Sequence, residues 1–317
     1  MLTRRRMIAI SAAMAASSWV PAAWAKPASR LWTGQALGAR VSIRLDHPQA
    51  EAVAARVFAE IGRLENILSL YRADSALSRL NREGRLESPP FELLECLSIA
   101  GTVHKASGGR FDPTVQPLWA LWAEAAASGM RPAQAEIERT LRKTGWEKIR
   151  LSPDAVVMEP GMALTLNGIA QGYITDRVTE LLRANGLEHA MIDLGEARGL
   201  GSPAPGRPWR AGIADPRNPS RVLEAIDLGD RALATSGGYG TPLDPAGRFT
   251  HLFDPHTGEA TPRWRSVTVR AADATTADAL STAFSQMPAD MIRDMISRFP
   301  VQAWLMAPDD GGLIRLG

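Results

Sequence analysis

The amino-acid sequence predicts an α+β fold of antiparallel β-sheets flanked by helices. Helical and strand patterns come in blocks rather than in the strict strand–helix alternation that builds a parallel sheet. The second half is rich in short strand-like runs, separated by turn clusters such as Ser202-Pro203-Ala204-Pro205-Gly206. No G-x-G-x-x-G follows the first strand, so nothing supports a Rossmann dinucleotide site.

The elements follow in order. Residues 31–45, with Leu37, Val41, Ile43 and Leu45, alternate enough to read as strand. Ala50 to Leu70 is an amphipathic helix, because Val53, Val57, Ile61, Leu64 and Leu68 recur every three or four residues. A short helical turn runs from Ser75 to Asn81 and stops at Gly84. Pro90 to Ala106 is a helix with Pro at its start and Ser107-Gly108-Gly109 at its end. Pro132 to Thr144 is a polar helix, and residues 147–166 read as short strands around a Ser152-Pro153-Asp154 turn. Ile169 to Ala184 is a helix with an Asn185-Gly186 stop. Strands are expected at 189–194, 209–214, 222–228, 231–235, 249–253 and 265–271. Ala277 to Met287 is helical, and short strands close the chain near 301–306 and 313–316.

Composition narrows the function classes. The 317 residues are 45% apolar and 22% charged, which excludes a disordered charged tail. One Cys excludes a disulfide framework and a Cys-based zinc cluster. That residue, Cys96, lies among Leu93, Leu94, Leu97 and Ile99 and reads as a buried inert thiol. Arg4-Arg5-Arg6, a weakly apolar run and Ala23-Trp24-Ala25 read residues 1–25 as a cleaved secretory signal of the twin-arginine type. The apolar run is too short to span a bilayer. The expectation is a periplasmic protein without a stable membrane anchor, residues 26–317 forming a single domain. Removing the three arginines takes 36 basic residues to 33 against 34 acidic ones. The net charge of +2 therefore belongs to the signal, and no compositional hint of nucleic-acid binding remains. The nine Trp are scattered and read as core and rim residues, not a base-stacking platform.

Four segments carry candidate chemistry. In Ala274 to Ala283, Asp278 and Thr282 are four apart and share a helix face. They offer hard oxygens of the kind Mg²⁺ prefers. Thr275 or Thr276 can cap the helix and leave N–H groups free for a phosphate, although an ordinary capped helix has the same pattern. In Leu164 to Tyr173 a strand enters a helix through Gly168, which can bring backbone close to a ligand and present a carbonyl to a metal. His251 and His256 lie in His-Leu-Phe-Asp-Pro-His-Thr-Gly, where His251 is a candidate general base or simply a hydrogen-bonded strand residue. Phe111-Asp112-Pro113-Thr114-Val115 follows a Gly-Gly stop as a loop beside a ligand, and Tyr71 can stack on a planar ring.

Taken in order, these segments resemble the ApbE family, the FAD:protein FMN transferases. The match also takes in Leu68 to Tyr71, Leu80-Asn81, Asp176, Asp193-Leu194-Gly195, Trp209, Gly212 to Pro216 and Ala234-Thr235-Ser236-Gly237. The resemblance implies a T-fold-like α+β architecture with FAD in a cleft between sheets and helices. It implies Mg²⁺ at the FAD pyrophosphate, held by Asp278, Ser281, Thr282 and the Gly168 carbonyl. Tyr71 would pack on the adenine side; Phe111, Asp112, Thr165, Gln171 and the stretch near Ser266 would line the flavin nucleotide. His251 matches the position of the proton acceptor.

The implied reaction is attack by a threonine hydroxyl of a target flavoprotein on the FMN-side phosphorus of FAD, with AMP leaving. The family's acceptor pattern is Asp/Ser-Gly-Ala-Thr-Ser/Thr. This chain's Asp273-Ala274-Thr275-Thr276 lacks the Gly and is not read as a self-modification site. Leu37-Gly38-Ala39 departs from the family's Met-Gly-Thr, Gln171 replaces a common Lys or Glu, and Gly238-Tyr239-Gly240 replaces an acidic and basic pair. Asn167 to Tyr173 together with Asp193-Leu194-Gly195-Glu196 resemble the NosX-like subgroup, linked to nitrous oxide reductase maturation. An FAD pyrophosphatase, using water in place of threonine, and a periplasmic flavin carrier without turnover are the competing readings.

Overall fold

The computed structural model describes residues 30–36, 38–203, 206–244, 247–308 and 312–317. The expected signal at 1–25, Leu37 and Ala204-Pro205 lie outside the described residues. The main sheet has eight antiparallel strands in the order β1-β2-β6-β7-β10-β11-β12-β13. These are β1 Arg30–Ala36, β2 Ala39–Leu45, β6 Ala190–Asp193, β7 Ala197–Leu200, β10 Ala232–Ser236, β11 Ser266–Ala271, β12 Gln302–Met306 and β13 Leu313–Leu316.

The two-residue period of a strand explains how this sheet is covered. Ile192, Ala232, Ala234, Ala303 and Leu305 join the main core, whereas their neighbours Met191, Leu233 and Trp304 join a second cluster. The main core lies under helices α1 Ala50–Leu68, α3 Phe91–Ala106, α6 Ala170–Ala184 and α7 Ala274–Phe284. The second cluster lies under a hairpin of β8 Arg210–Asp215 and β9 Asn218–Asp227, through Trp209, Ala211, Ile213 and Ile226. The stripe of Val53, Val57, Ile61, Leu64 and Leu68 on α1 is buried as its spacing requires. Cys96 is also buried on α3, and burial pushes its thiol up. A small sheet, ordered β3 Arg85–Glu87, β5 Ala155–Val157, β4 Arg150–Leu151, stands beside α2 Ala76–Glu83. Among the described residues no helix is long and apolar enough to cross a membrane.

Some expectations are corrected. Residues 249–253 form no strand; Thr250 makes a single bridge to Pro242. Carboxylates take backbone N–H groups on either side. Asp244 accepts from Arg248 and Phe249, and Asp254 accepts from His256, so local turns replace a ladder. Helix α4 Gln116–Ala127 occupies a stretch without an expected element, burying Leu118, Trp122 and Ala126. Helix α5 Gln134–Leu141 is shorter than expected, and α8 Ala289–Ile296 is additional. Beyond β5, residues 158–166 contain no strand. Helix α7 begins three residues earlier than Ala277, because Asp273 is its cap and accepts from the Thr276 N–H at 2.7 Å.

Candidate active site

The start of α7 is built against α6. Gly172 makes the approach possible. A Cβ there would lie 2.6 Å from the Ala274 carbonyl carbon and 2.8 Å from Thr275 Cα. Asp176, one turn further along α6, accepts from the N–H groups of Ala274 (2.9 Å) and Thr275 (2.8 Å) and from the Thr275 hydroxyl (2.6 Å). These bonds correct the expected phosphate site. Neither Thr275 nor Thr276 caps α7, and two carboxylates already occupy its first N–H groups. Burial pushes the Asp176 carboxyl up, and its hydrogen bonds oppose that shift.

Asp278 returns the contact. Its Oδ2 accepts from the Gly172 N–H at 3.0 Å, and this is the carboxylate's one hydrogen bond among the described residues. The residue is 4% exposed. Burial raises its carboxyl, the Gly172 N–H opposes the rise, and Asp176 adds to it. One turn on, Thr282 meets Gly168 so closely that a Cβ on the glycine would lie 2.8 Å from the threonine Oγ1. The Ser236 hydroxyl, at the end of β10, lies 2.7 Å from Ser281 Oγ and 3.2 Å from Thr282 Oγ1. Ser281 donates to the Asp278 carbonyl at 2.9 Å.

These groups form one wall of a cleft enclosing about 1080 Å³, counted to its open mouth. Gly168, Asp278 and Thr282 line it; Ser281 sits behind them. Phe111, Asp112, Thr165 and Gln171 also line it. Asp112 caps a single helical turn, accepting from the Thr114 N–H at 2.8 Å and its hydroxyl at 2.6 Å. Burial raises the Asp112 carboxyl against those bonds. The Thr165 N–H donates to Pro113 at 2.8 Å, tying the two lining loops together. Asn81 clamps the second loop from below. Its Nδ2 donates to the Leu164 carbonyl (2.8 Å) and its Oδ1 accepts from the Leu164 N–H (2.7 Å).

His251 also lines the cleft, beside Thr241. Its Nδ1 is 3.2 Å from the Thr241 carbonyl, which can only accept, so Nδ1 carries the proton and Nε2 is the basic nitrogen. Burial lowers its pKa and the Thr241 carbonyl opposes the shift, which keeps the imidazole neutral near pH 7. Tyr71 is not in the lining. It is 51% exposed, and its hydroxyl accepts from Asn167, a lining residue, at 3.1 Å. Ser266 is also outside the lining, buried at the start of β11 opposite Met306.

The structure adds residues that local spacing does not mark. Arg110 lines the cleft, paired with Asp254 at 2.7 Å. Ser236 and Glu196 enter from strand ends, where cross-strand pairing rather than local pattern decides the neighbours. Glu196 is 5% exposed, and burial raises its carboxyl well above the usual range, with Asp278 and Asp193 adding and the Thr235 N–H opposing. No three His, Cys, Asp or Glu side chains cluster as a metal site among the described residues.

The ApbE family model matches residues 37–305. The chain is 32% identical over 278 residues to the FAD:protein FMN transferase of Vibrio cholerae, covering 83% of both. It is 30% identical to that of Treponema pallidum, covering 85% of this chain and 82% of the relative. The solved ApbE protein of Thermotoga maritima superposes with a TM-score of 0.81 at 30% identity, covering 91% of this chain and 97% of that one. The Vibrio cholerae flavin transferase ApbE gives 0.78 at 26% identity, over 90% and 96%. With the antiparallel α+β fold shared along nearly its whole described length, the chain belongs to the ApbE family.

Proposed function

We propose that this chain transfers FMN from FAD to a threonine hydroxyl of a target flavoprotein and releases AMP. The observation that carries the reading is one cleft lined by both a hard-oxygen set, at Gly168, Asp278 and Thr282, and a neutral histidine with a free Nε2. A single carboxylate suits a metal that arrives with phosphate oxygens of its own, and the Oδ1 of Asp278 is free to meet it. The Gly168 carbonyl, Asp278 and Thr282 would hold Mg²⁺. Ser281, bonded to the Asp278 carbonyl and to Ser236, would brace the set from behind.

Bound there, Mg²⁺ supplies charge neutralisation at the pyrophosphate, which with positioning is what phosphoryl transfer requires. Phe111, Asp112, Thr165 and Gln171 would hold the flavin nucleotide, Tyr71 would cover the adenine side at the rim, and Ser266 would support the wall from within β11. His251 Nε2 takes the proton of the attacking threonine, while the Thr241 carbonyl holds the ring in the tautomer that can accept it. The threonine oxygen bonds to the FMN-side phosphorus as the bond to AMP breaks. The sequence features at 1–25 support export by a twin-arginine route to the periplasm. The acceptor would carry an Asp/Ser-Gly-Ala-Thr-Ser/Thr-like motif, and the NosX-like motifs favour a respiratory or nitrous oxide reduction component.

The test incubates the chain from residue 26 with FAD, Mg²⁺ and an acceptor domain, then weighs the acceptor and assays AMP. The expected result is equal gain of FMN on the acceptor and AMP in solution. AMP without a mass gain would assign an FAD pyrophosphatase instead, and no AMP at all would leave a flavin carrier.

A further inference from the structure

The turn Asp193-Leu194-Gly195-Glu196 leads from β6 into β7. It is shaped by the Gly195 N–H donating to Asp193 Oδ1 at 3.2 Å and by a left-handed Gly195 at φ 101°. A Cβ on Gly195 would lie 2.9 Å from the Gln171 amide nitrogen, a side-chain end that can give way, so it is the left-handed φ that favours glycine there. The turn delivers Glu196 into the cleft wall that also holds Gly168, Asp278 and Thr282.

Glu196 lacks what a buried carboxylate needs. Its Oε2 is buried without a hydrogen-bond partner, and no basic side chain is among the groups acting on it. Arg198, two residues on in β7, donates to the Ala272 carbonyl instead. The charges acting on Glu196 are those of Asp278 and then Asp193, both negative. A buried carboxylate held only for packing would have both oxygens satisfied. The adjacent Gln171 Nε2 is also unpartnered, but it is a donor and cannot ligate a cation.

We infer that Glu196 is a second anionic group of the metal site, its Oε2 accepting a hydrogen bond from a water on the cation held at Asp278. The inference rests on the metal reading given above. Mg²⁺ loses its waters reluctantly, so a carboxylate one water away is a natural partner. Asp278 then remains the one carboxylate in direct reach of the metal, and Glu196 acts from one water away. Glu196 is a positioning residue in this arrangement, acting through the metal's hydration shell.

The test uses Mn²⁺ as a paramagnetic stand-in, titrated into the metal-free chain with FAD and no acceptor, with free Mn²⁺ read by electron paramagnetic resonance. Glu196→Gln keeps the shape and removes the charge. Its affinity for Mn²⁺ should fall about 10- to 100-fold, the usual cost of losing an outer-shell partner. The melting temperature of its metal-free form should be unchanged or higher. Affinity within twofold of the parent overturns the inference, as does a lowered metal-free melting temperature, which would assign Glu196 a structural hydrogen bond. Asp278→Ala separates the two readings. If it loses Mn²⁺ while Glu196→Gln binds normally, only the role of Glu196 falls. If it binds as the parent does, the metal reading itself falls.

Discussion

Replacing Gly172 by alanine tests whether the contact between α6 and α7 holds the site. Two terms compete. In a helix interior, alanine is favoured over glycine by about 1 kcal/mol. Against this, the new Cβ would sit 2.6 Å from the Ala274 carbonyl carbon and 2.8 Å from Thr275 Cα, backbone atoms that cannot rotate away. Ordinary contact needs about 3.5–4.0 Å, so the helices must part by roughly 1 Å. Overpacking of this kind costs about 1–3 kcal/mol, occasionally more. The same shift strains the Gly172 N–H bond to Asp278 and the bonds of Asp176 to Ala274 and Thr275. The strained hydrogen bonds add about 1 kcal/mol, which offsets the alanine gain, so the clash should win with a net loss of roughly 1–3 kcal/mol in urea unfolding. Turnover should fall about 100-fold, as expected for a misplacement near 1 Å. Gly62→Ala is the control, because nothing lies within 4 Å of a Cβ at that position on α1. It should stabilise by about 1 kcal/mol. A Gly172→Ala chain as stable and as active as the parent would refute the reasoning.

Asp278→Ala should abolish metal-dependent AMP release, and unchanged turnover in an AMP assay would show that the hard-oxygen set lies elsewhere. His251→Ala should slow transfer by about 10²- to 10⁴-fold. Because burial holds the His251 pKa below its ordinary 6.5, the loss of activity due to protonating His251 should come only in solution more acid than 6.5. A midpoint above 6.5 in the pH–rate profile would exclude His251 as the group titrating. The same shift bears on stability. The unfolded chain binds the proton more readily, so the folded state loses stability as pH falls through about 6.5. Asp176→Ala removes three hydrogen bonds from the start of α7, and a loss of about 2–4 kcal/mol is expected in urea melts. A loss under about 0.5 kcal/mol would mean that water replaces the carboxylate there without cost.

Elements with a clean local period were legible. The stripe on α1 and the alternation in β11 need only the next few residues to be read, and both appear where expected. Helix α4 was not, because Ala120, Ala123 and Ala125 to Ala127 surround the face of Leu118 and Trp122 with few polar residues and leave little period contrast. The expected strand at 249–253 failed for another reason. Asp244 and Asp254, which flank it, capture its neighbours' N–H groups in turns, a competition that an apolar alternation does not reveal. In the site, the pairing of Asp278 with Thr282 on one helix face was legible from their spacing. The second carboxylate at the start of α7 was not, since Asp176 reaches it from 98 residues away.

By itself, the sequence determined the antiparallel α+β class, the family motifs and which side chains could supply oxygens and a base. It did so because strand and helix periods, turn residues and chemical type are local properties. The tertiary structure decided which of those groups meet. It put the Gly172 N–H on Asp278, filled the α7 N-terminus with Asp176 and Asp273, turned His251 Nδ1 to the Thr241 carbonyl and brought Glu196 in from a strand end. Each of these meetings depends on strand order and on helices packed at backbone contact, which no short stretch of sequence encodes.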